Sequence, residues 1–158
     1  MEIGYFYFIA PQFFKDFPIA TLMHNHETKF SQNHNRPCYY AIKGEGNIKW
    51  LIPISSKVNK FKRIYNDKVK KYGKCDTIVF ADVLGQERAF LIQNIFPVTD
   101  KYILNQYIDG MNKPVMIDGV SERKITQKAK KVLTLQRNGK NLIFGDVLQI
   151  EKELLDSI

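Results

Sequence analysis

Apolar and aromatic positions dominate the first third of the chain and predict β-structure. Residues 2–10 form one aromatic run, which we interpret as a strand, and Pro11 directly after it is typical of a helix start. Two further apolar runs, Cys38–Lys43 and 48–55, flank a glycine-containing turn and predict a hairpin. Pro53 lies in the second run, which indicates that this strand is an edge, contains a bulge or ends there.

A second hairpin is predicted from the apolar runs 75–83 and 87–95, and a short strand from 115–117. Residues 18–37, by contrast, show little periodicity and contain all three histidines. We expect a long loop there, which compact domains seldom contain without a functional reason.

Apolar residues at helical spacing predict the remaining elements. Across 58–72 they alternate with lysines and Gly73 follows, which favours a helix with one basic face; a long basic loop is the alternative. Three more helices are predicted, from Thr99 or Asp100 to Ile108, from an N-cap at Ser121 to Gly139 with Ile125, Ala129, Val132, Leu133 and Gln136 on one face, and over 147–155 after an N-cap at Asp146.

These elements predict a single α+β domain spanning residues 1–158, with a mainly antiparallel sheet from the first two thirds of the chain. No apolar run approaches the roughly 18 residues that a membrane span needs. We therefore expect a cytoplasmic protein without a membrane partner. Cys38 and Cys75 are expected to be buried free thiols.

Positive charge is concentrated in two stretches of the chain. Residues 57–74 contain eight Lys or Arg and one acid, and residues 123–140 contain seven and none, whereas the rest of the chain has nine bases and fifteen acids. Concentrated charge repels itself and is best tolerated when the partner is a polyanion. A solvated helix face is the alternative for either stretch alone.

Single-stranded RNA is the polyanion that we expect, because tyrosines that can stack on bases lie near the basic residues. We expect no DNA partner. The candidate RNA-contacting residues are ten basic side chains of these stretches, together with one lysine and one tyrosine of the first hairpin. They are Lys43, Lys60, Lys62, Arg63, Lys68, Lys70, Lys71, Lys74, Lys124, Lys128, Lys131 and Tyr39.

A candidate catalytic site lies where the second strand ends, at Ser55, Ser56 and Lys57, with Arg36 and His34 just before the paired strand. RNA cleavage by attack of the ribose 2′-OH on its own phosphate needs cationic or N–H donors, a base and an acid, but no metal. Serine, lysine and arginine supply the donors, and a histidine transfers protons near neutral pH. The competing interpretation is an ordinary loop start.

Other chemistry finds little support in the sequence. It contains no phosphate-binding loop, no serine-hydrolase elbow and no zinc-protease helix motif. His24, His26, His34 and Cys38 lack the paired spacing of zinc ligands. We expect no metal and no cofactor.

Several stretches of the chain resemble the CptN-type toxins of type III toxin–antitoxin systems, in which the antitoxin is an RNA. They are 36–42 (Arg-Pro-Cys-Tyr-Tyr-Ala-Ile), 50–57 (Trp-Leu-Ile-Pro-Ile-Ser-Ser-Lys), 71–79 (Lys-Tyr-Gly-Lys-Cys-Asp-Thr-Ile-Val) and 88–94 (Arg-Ala-Phe-Leu-Ile-Gln-Asn) followed by Phe-Pro-Val. The wider family includes the ToxN and AbiQ toxins. It implies a highly twisted antiparallel sheet or small barrel similar to the Kid/MazF ribonucleases, with added helices.

The resemblance implies a metal-independent endoribonuclease whose products carry 2′,3′-cyclic phosphate and 5′-OH ends. Such toxins cut cellular RNA and process the precursor of their own antitoxin. The processed RNA repeats, folded as pseudoknots, then inhibit the toxin in a closed protein–RNA hetero-oligomer.

The ToxN branch has a Thr-Ser-Pro-Lys loop where this chain has Ser55-Ser56-Lys57, and a lysine near the position of Arg36. By this resemblance, Ser56 is the residue whose loss hurts cleavage most. Ser55 and Lys57 hold the phosphate, Arg36 stabilises the transition state and His34 is the candidate acid or base. A non-catalytic single-strand RNA-binding protein and a binder of an acidic protein antitoxin are the rival hypotheses.

Overall fold

The structure is a computed structural model that describes residues 1–18 and 36–157. Its strands are β1 (Phe6–Ile9), β2 (Cys38–Lys43), β3 (Lys49–Ser55), β4 (Ile78–Val83), β5 (Gln86–Leu91), β6 (Phe96–Val98) and β7 (Ile103–Gln106). The α-helices of this part are α1 (Pro11–Asp16), α2 (Val58–Tyr72), α3 (Gly119–Arg137) and α4 (Val147–Asp156). None of the helices in these two ranges is both long enough and apolar enough to cross a bilayer.

The strands form one seven-stranded antiparallel sheet in the order β4-β5-β3-β2-β1-β7, with β6 paired to β3. The predicted α+β class is therefore confirmed. The end strands β4 and β7 each pair with a single neighbour within the described ranges, so this sheet is open. The small closed barrel among our expectations is not formed there.

Strand β3 is central, and Pro53 lies where it changes partner. The first half of the strand pairs with β6 as far as Leu51, whereas its end pairs with β5 through Ile54 and Ser55. Pro53 falls between these two ladders, so its missing N–H costs no hydrogen bond to β5 or β6. Of the alternatives predicted for Pro53, the edge was wrong because β3 is central, whereas the strand does end nearby, at Ser55. The register irregularity lies between β2 and β3 after Tyr40.

Helix α3 packs its apolar face on the sheet. Ile125, Ala129 and Val132 are fully buried and Leu133 nearly so, which confirms the predicted face. Helix α2 covers a second, smaller apolar cluster around Phe61, and it ends at Gly73, whose φ of 82° suits a residue without a side chain. Residues 58–72 are therefore a helix and not a basic loop.

Two predicted elements near the middle of the chain were wrong. The helix from Thr99 to Ile108 is a single 3-10 turn followed by β7, because β1 has an open edge that this segment pairs with. The strand over 115–117 does not form, although Val115 and Ile117 are buried. The apolar pattern thus indicated the burial of Val115 and Ile117 but not their backbone conformation, whereas Leu104 and Ile108 of the predicted helix are exposed.

Smaller corrections concern element ends. Asp118, and not Ser121, is the N-cap of α3, since its carboxylate accepts the Ser121 N–H at 2.9 Å. Asp146 precedes α4 as predicted but caps it with no side-chain hydrogen bond to a described residue. The second hairpin is confirmed, with its second arm ending at Leu91 before a 3-10 turn.

Both cysteines are buried free thiols, as predicted. Burial raises the pKa of the Cys38 thiol to about 12, against the opposing charge of Arg36. Cys38 therefore packs as a small apolar side chain with a weakly nucleophilic thiol, and Cys75 is likewise buried.

Candidate functional site

An open cavity of about 550 Å³ lies at the end of the sheet where β3 terminates. Its lining combines cationic, polar and apolar side chains: Arg36, Pro37, Ile54, Ser56, Val83, Leu84, Gln86, Arg88 and Tyr107. Two of the predicted catalytic residues, Arg36 and Ser56, therefore share one cavity. No carboxylate is among these described lining residues, which suits an anionic ligand.

The sheet topology explains why residues far apart in sequence meet here. Because β2 and β3 are antiparallel, with Cys38 opposite Pro53, the residues just before β2 lie beside those just after β3. Strand β5 pairs with the end of β3 through Ala89 opposite Ser55, which brings Arg88 to the same place. Tyr107 arrives from the end of β7, where its N–H donates to the Phe6 carbonyl at 2.8 Å.

The two serines of the strand end occupy different environments. Ser55 is only 4% exposed, and its Oγ accepts the N–H of Lys57 at 3.1 Å. Ser56 is exposed and lines the cavity. Ser55 therefore holds the loop in shape, and the prediction that it contacts phosphate is corrected to a positioning role. Lys57 is exposed but is not among the lining residues.

Helix α2 begins directly after this loop and points its N-terminus toward the strand end. Its first turn contains no acidic residue, and among the described residues no side chain caps it. The N–H of Val58 donates to the Ser56 carbonyl at 2.8 Å and that of Phe61 to the Lys57 carbonyl at 3.2 Å. The first amides of a helix have no acceptor within the helix itself, so those of α2 are candidate donors to a ligand. The partial positive charge of the helix end adds to that of the arginines.

Arg88 is held in place by its neighbours on β5. Its guanidinium donates to Oε1 of Gln86 at 2.7 Å and to the carbonyl of Glu87 at 3.1 Å. Neither partner is charged, since the Glu87 carboxylate instead binds Lys62 at 3.0 Å. Among the described residues no carboxylate pairs with Arg88, so its positive charge is available to a ligand in the cavity.

Sequence reasoning did not single out Arg88, Gln86 or Tyr107 as site residues. Their partners in the cavity come from other strands, so no local spacing indicated them. The sequence did contain one signal for Arg88. This charged residue directly precedes the apolar pair Ala89 and Phe90, which are buried, so it occupies a strand position at the rim of the core.

The lysines and arginine of α2 that were predicted to contact RNA fall into two groups. Lys68 turns inward and donates to Thr77 at 2.9 Å and Gln93 at 3.3 Å, and Lys62 pairs with Glu87. Among described residues, the others make no ion pair to an acid and are exposed: Lys60, Arg63, Lys70 and Lys71. These four are the bases of α2 best placed to contact phosphates.

The two basic stretches meet around Asp76. Lys131 lies 2.9 Å, Lys74 3.6 Å and Lys128 3.8 Å from its carboxylate, and Lys128 also donates to the Cys75 carbonyl at 2.9 Å. Partial burial opposes ionisation of Asp76, but the hydrogen bond from Lys131 and the three positive charges lower its pKa. Three ammonium groups around one carboxylate leave an excess of positive charge on this joint surface.

Three other predicted residues lie elsewhere. Tyr39 is fully buried against Phe6 and Phe90, with ring centroids at 5.2 and 5.5 Å, so the prediction that it stacks on RNA bases was wrong. Burial raises the pKa of its phenol. Lys43 is exposed at the opposite end of β2, roughly 20 Å of extended chain from Arg36.

Lys124 is exposed on α3, one turn before Lys128. His34, His24 and His26 lie outside the described residues. Within the described ranges, no three His, Cys, Asp or Glu side chains cluster as a metal site would require.

The sequence matches no known family model, and no curated protein matches it. Its fold and cavity are thus the basis for a functional assignment.

Proposed function

We propose that this protein is a metal-independent endoribonuclease and a toxin of the type III class, related to the CptN, ToxN and AbiQ toxins. The observation that carries the proposal is the convergence of Arg36, Arg88 and Ser56 in one cavity with no carboxylate among its described lining residues. An exposed basic helix begins beside this cavity. The resemblance of the sequence to the toxin family supports the choice of RNA as ligand.

In the proposed reaction the ribose 2′-OH attacks the adjacent phosphorus. The new O2′–P bond forms as the P–O5′ bond breaks, a base removes the proton of the 2′-OH and an acid protonates the leaving 5′ oxygen. The products carry a 2′,3′-cyclic phosphate and a 5′-OH. Arg36 and Arg88 stabilise the extra negative charge of the pentacoordinate phosphorus, since guanidinium groups match phosphate oxygens in pairs.

Ser56 donates a hydrogen bond to the reacting phosphate in this scheme, and the first amides of α2 supply further donors. Ser55 keeps the loop in the conformation that presents them. His34 stays a prediction for proton transfer, two residues before Arg36.

The remainder of the RNA lies along the basic surface. Helix α2 extends about 22 Å from the cavity at 1.5 Å per residue, and its far end leads to the lysines around Asp76. We propose that this surface binds both cellular RNA and the processed RNA antitoxin, in a closed protein–RNA hetero-oligomer in the cytoplasm. The finer likeness to the Kid/MazF fold is part of this proposal, as the family resemblance implies.

Cleavage by the purified protein tests the proposal. Single-stranded RNA incubated with the protein in EDTA should be cut, and the fragments should have 2′,3′-cyclic phosphate and 5′-OH ends. Ser56→Ala should abolish cutting and relieve growth arrest on expression without antitoxin. Ser157→Ala, an exposed serine at the end of α4, is the matched control. Intact RNA with the wild-type protein would refute the activity, and a requirement for magnesium would refute the mechanism.

A second candidate is a non-catalytic single-strand RNA-binding protein. The observation that favours it is the joint basic surface around Asp76, which does not depend on the cavity. In that case Ser56→Ala and Arg36→Ala would each leave RNA affinity nearly unchanged, and no cleavage would be detected at any protein concentration.

A further inference from the structure

The turn between β4 and β5 has an unusual residue in its first central position. Val83 pairs with Gln86, so Leu84 and Gly85 form a two-residue hairpin loop. Their φ angles are 53° and 81°, and positive values at both positions define a type I′ turn. Such turns favour Asn-Gly or Asp-Gly, because a branched apolar side chain is disfavoured in the left-handed region.

Packing does not explain why leucine stands there. The Leu84 side chain is 55% exposed and is absent from both buried apolar clusters of the described residues. It does line the cavity that contains Arg36, Arg88 and Ser56. A residue that is disfavoured by its backbone conformation and left in solvent, but placed in a cationic cavity, indicates a ligand contact.

The remaining walls of the cavity indicate which ligand. Two guanidinium groups, with no carboxylate among the lining residues of ranges 1–18 and 36–157, select an anion, while Pro37, Ile54 and Leu84 offer apolar surface. Tyr107 presents a ring that is held by edge contacts to Phe6 at 6.2 Å and Phe8 at 5.5 Å. An anion joined to a flat apolar group is the chemistry of a nucleotide, and about 550 Å³ is within the usual range of ligand cavities.

We infer that Leu84 contacts the base of the RNA nucleotide whose phosphate is held by Arg36 and Arg88. This inference rests on the proposed function and adds the residue that recognises the base. Leu84 is a contact residue and takes no part in proton transfer. A leucine occupies this turn, although the turn favours other residues, because its side chain covers one face of the bound base.

Substitution of Leu84 separates this role from a structural one. Leu84→Asn suits the type I′ turn, so it should raise the thermal midpoint while weakening RNA binding about tenfold. Leu84→Gly also relieves the backbone conformation and should weaken binding equally. Leu84→Met keeps an apolar side chain and should bind like the wild type. Leu104→Asn, at a comparably exposed leucine on β7 outside the cavity, should leave binding unchanged.

The probe is a short single-stranded RNA of mixed sequence with 2′-fluoro groups, which lacks the attacking hydroxyl and is not cut. Unchanged affinity for this probe with Leu84→Asn or Leu84→Gly would overturn the inference. So would an equal loss of affinity with Leu104→Asn. If the wild type binds the probe with the expected Leu84 dependence but cuts no unmodified RNA, the proposed activity fails while the base contact stands.

Discussion

The ammonium of Lys131 in α3 lies 2.9 Å from the carboxylate of Asp76, and this contact joins the two basic stretches of the chain. Lys74, just after α2, approaches the same carboxylate to 3.6 Å. Residues separated by more than fifty positions thus form one surface. Asp76 keeps the lysines together by offsetting part of their mutual repulsion.

Asp76→Asn should lower stability at neutral pH by about 1 kcal/mol. The folded-state pKa of Asp76 is depressed below the ordinary aspartate value of 3.8, so its stabilising contribution is complete above that value and is lost as pH falls below it. The wild type should therefore lose stability below about pH 4 more steeply than the variant does. Urea unfolding from pH 2 to 7 measures both slopes. If the unfolding free energy of wild type and variant fell equally steeply with decreasing pH, the role given to Asp76 would be contradicted. Lys131→Gln should make this fall less steep than in the wild type.

Ser55 and Ser56 should respond differently to alanine. Ser56→Ala removes an exposed hydroxyl, so stability should not change while cleavage falls at least about 100-fold. Ser55→Ala removes the buried acceptor of the Lys57 N–H and should cost about 1 kcal/mol of stability, with a smaller effect on cleavage. Thermal unfolding and initial cleavage rates, measured on the same preparations, separate the two. The assignment is wrong if Ser56→Ala is the less active variant only because it is partly unfolded.

Arg36 and Arg88 should both be needed for cleavage. Replacing either with alanine should reduce kcat by about 100-fold, and lysine should restore little because it cannot bind phosphate through two parallel hydrogen bonds. Gln86→Ala should have an intermediate effect, since Gln86 orients Arg88. Arg123→Ala, an exposed arginine of α3 outside the cavity, is the control. Activity retained by Arg88→Ala would remove Arg88 from the site.

The exposed lysines of α2 should contribute to the salt dependence of RNA binding. Each lost phosphate contact reduces the slope of log affinity against log salt by about 0.7 for a single strand. Lys70→Ala and Lys71→Ala should each show such a reduction, measured by titration at several salt concentrations. Lys68→Ala should instead lower stability, because Lys68 is engaged with Thr77 and Gln93, and should leave the slope unchanged. A slope that barely changes in all three variants would place the RNA elsewhere.

The sequence predicted elements well where local periodicity and tertiary environment agree. The hairpins are apolar runs that flank a turn and α2 has helical apolar spacing, and they form as predicted. The apolar pattern from Thr99 to Ile108 is ambiguous between helix and strand. Part of this segment forms a strand because it pairs with the open edge of β1. Tyr39 shows the same limit for a single residue: Tyr39 and Tyr40 face opposite sides of β2 and both are buried, because tertiary packing covers both faces of this strand.

By itself, the sequence determined the α+β class, the basic character of residues 57–74 and 123–140, and a strand that ends next to Ser56, because these depend on composition and local pattern. The tertiary structure alone decided that Arg88, Tyr107 and Leu84 join Arg36 in one cavity. It also decided that Ser55 is buried and that the two basic stretches meet at Asp76. The physical reason is strand pairing, which sets side chains from distant segments side by side through backbone hydrogen bonds and leaves little trace in local spacing.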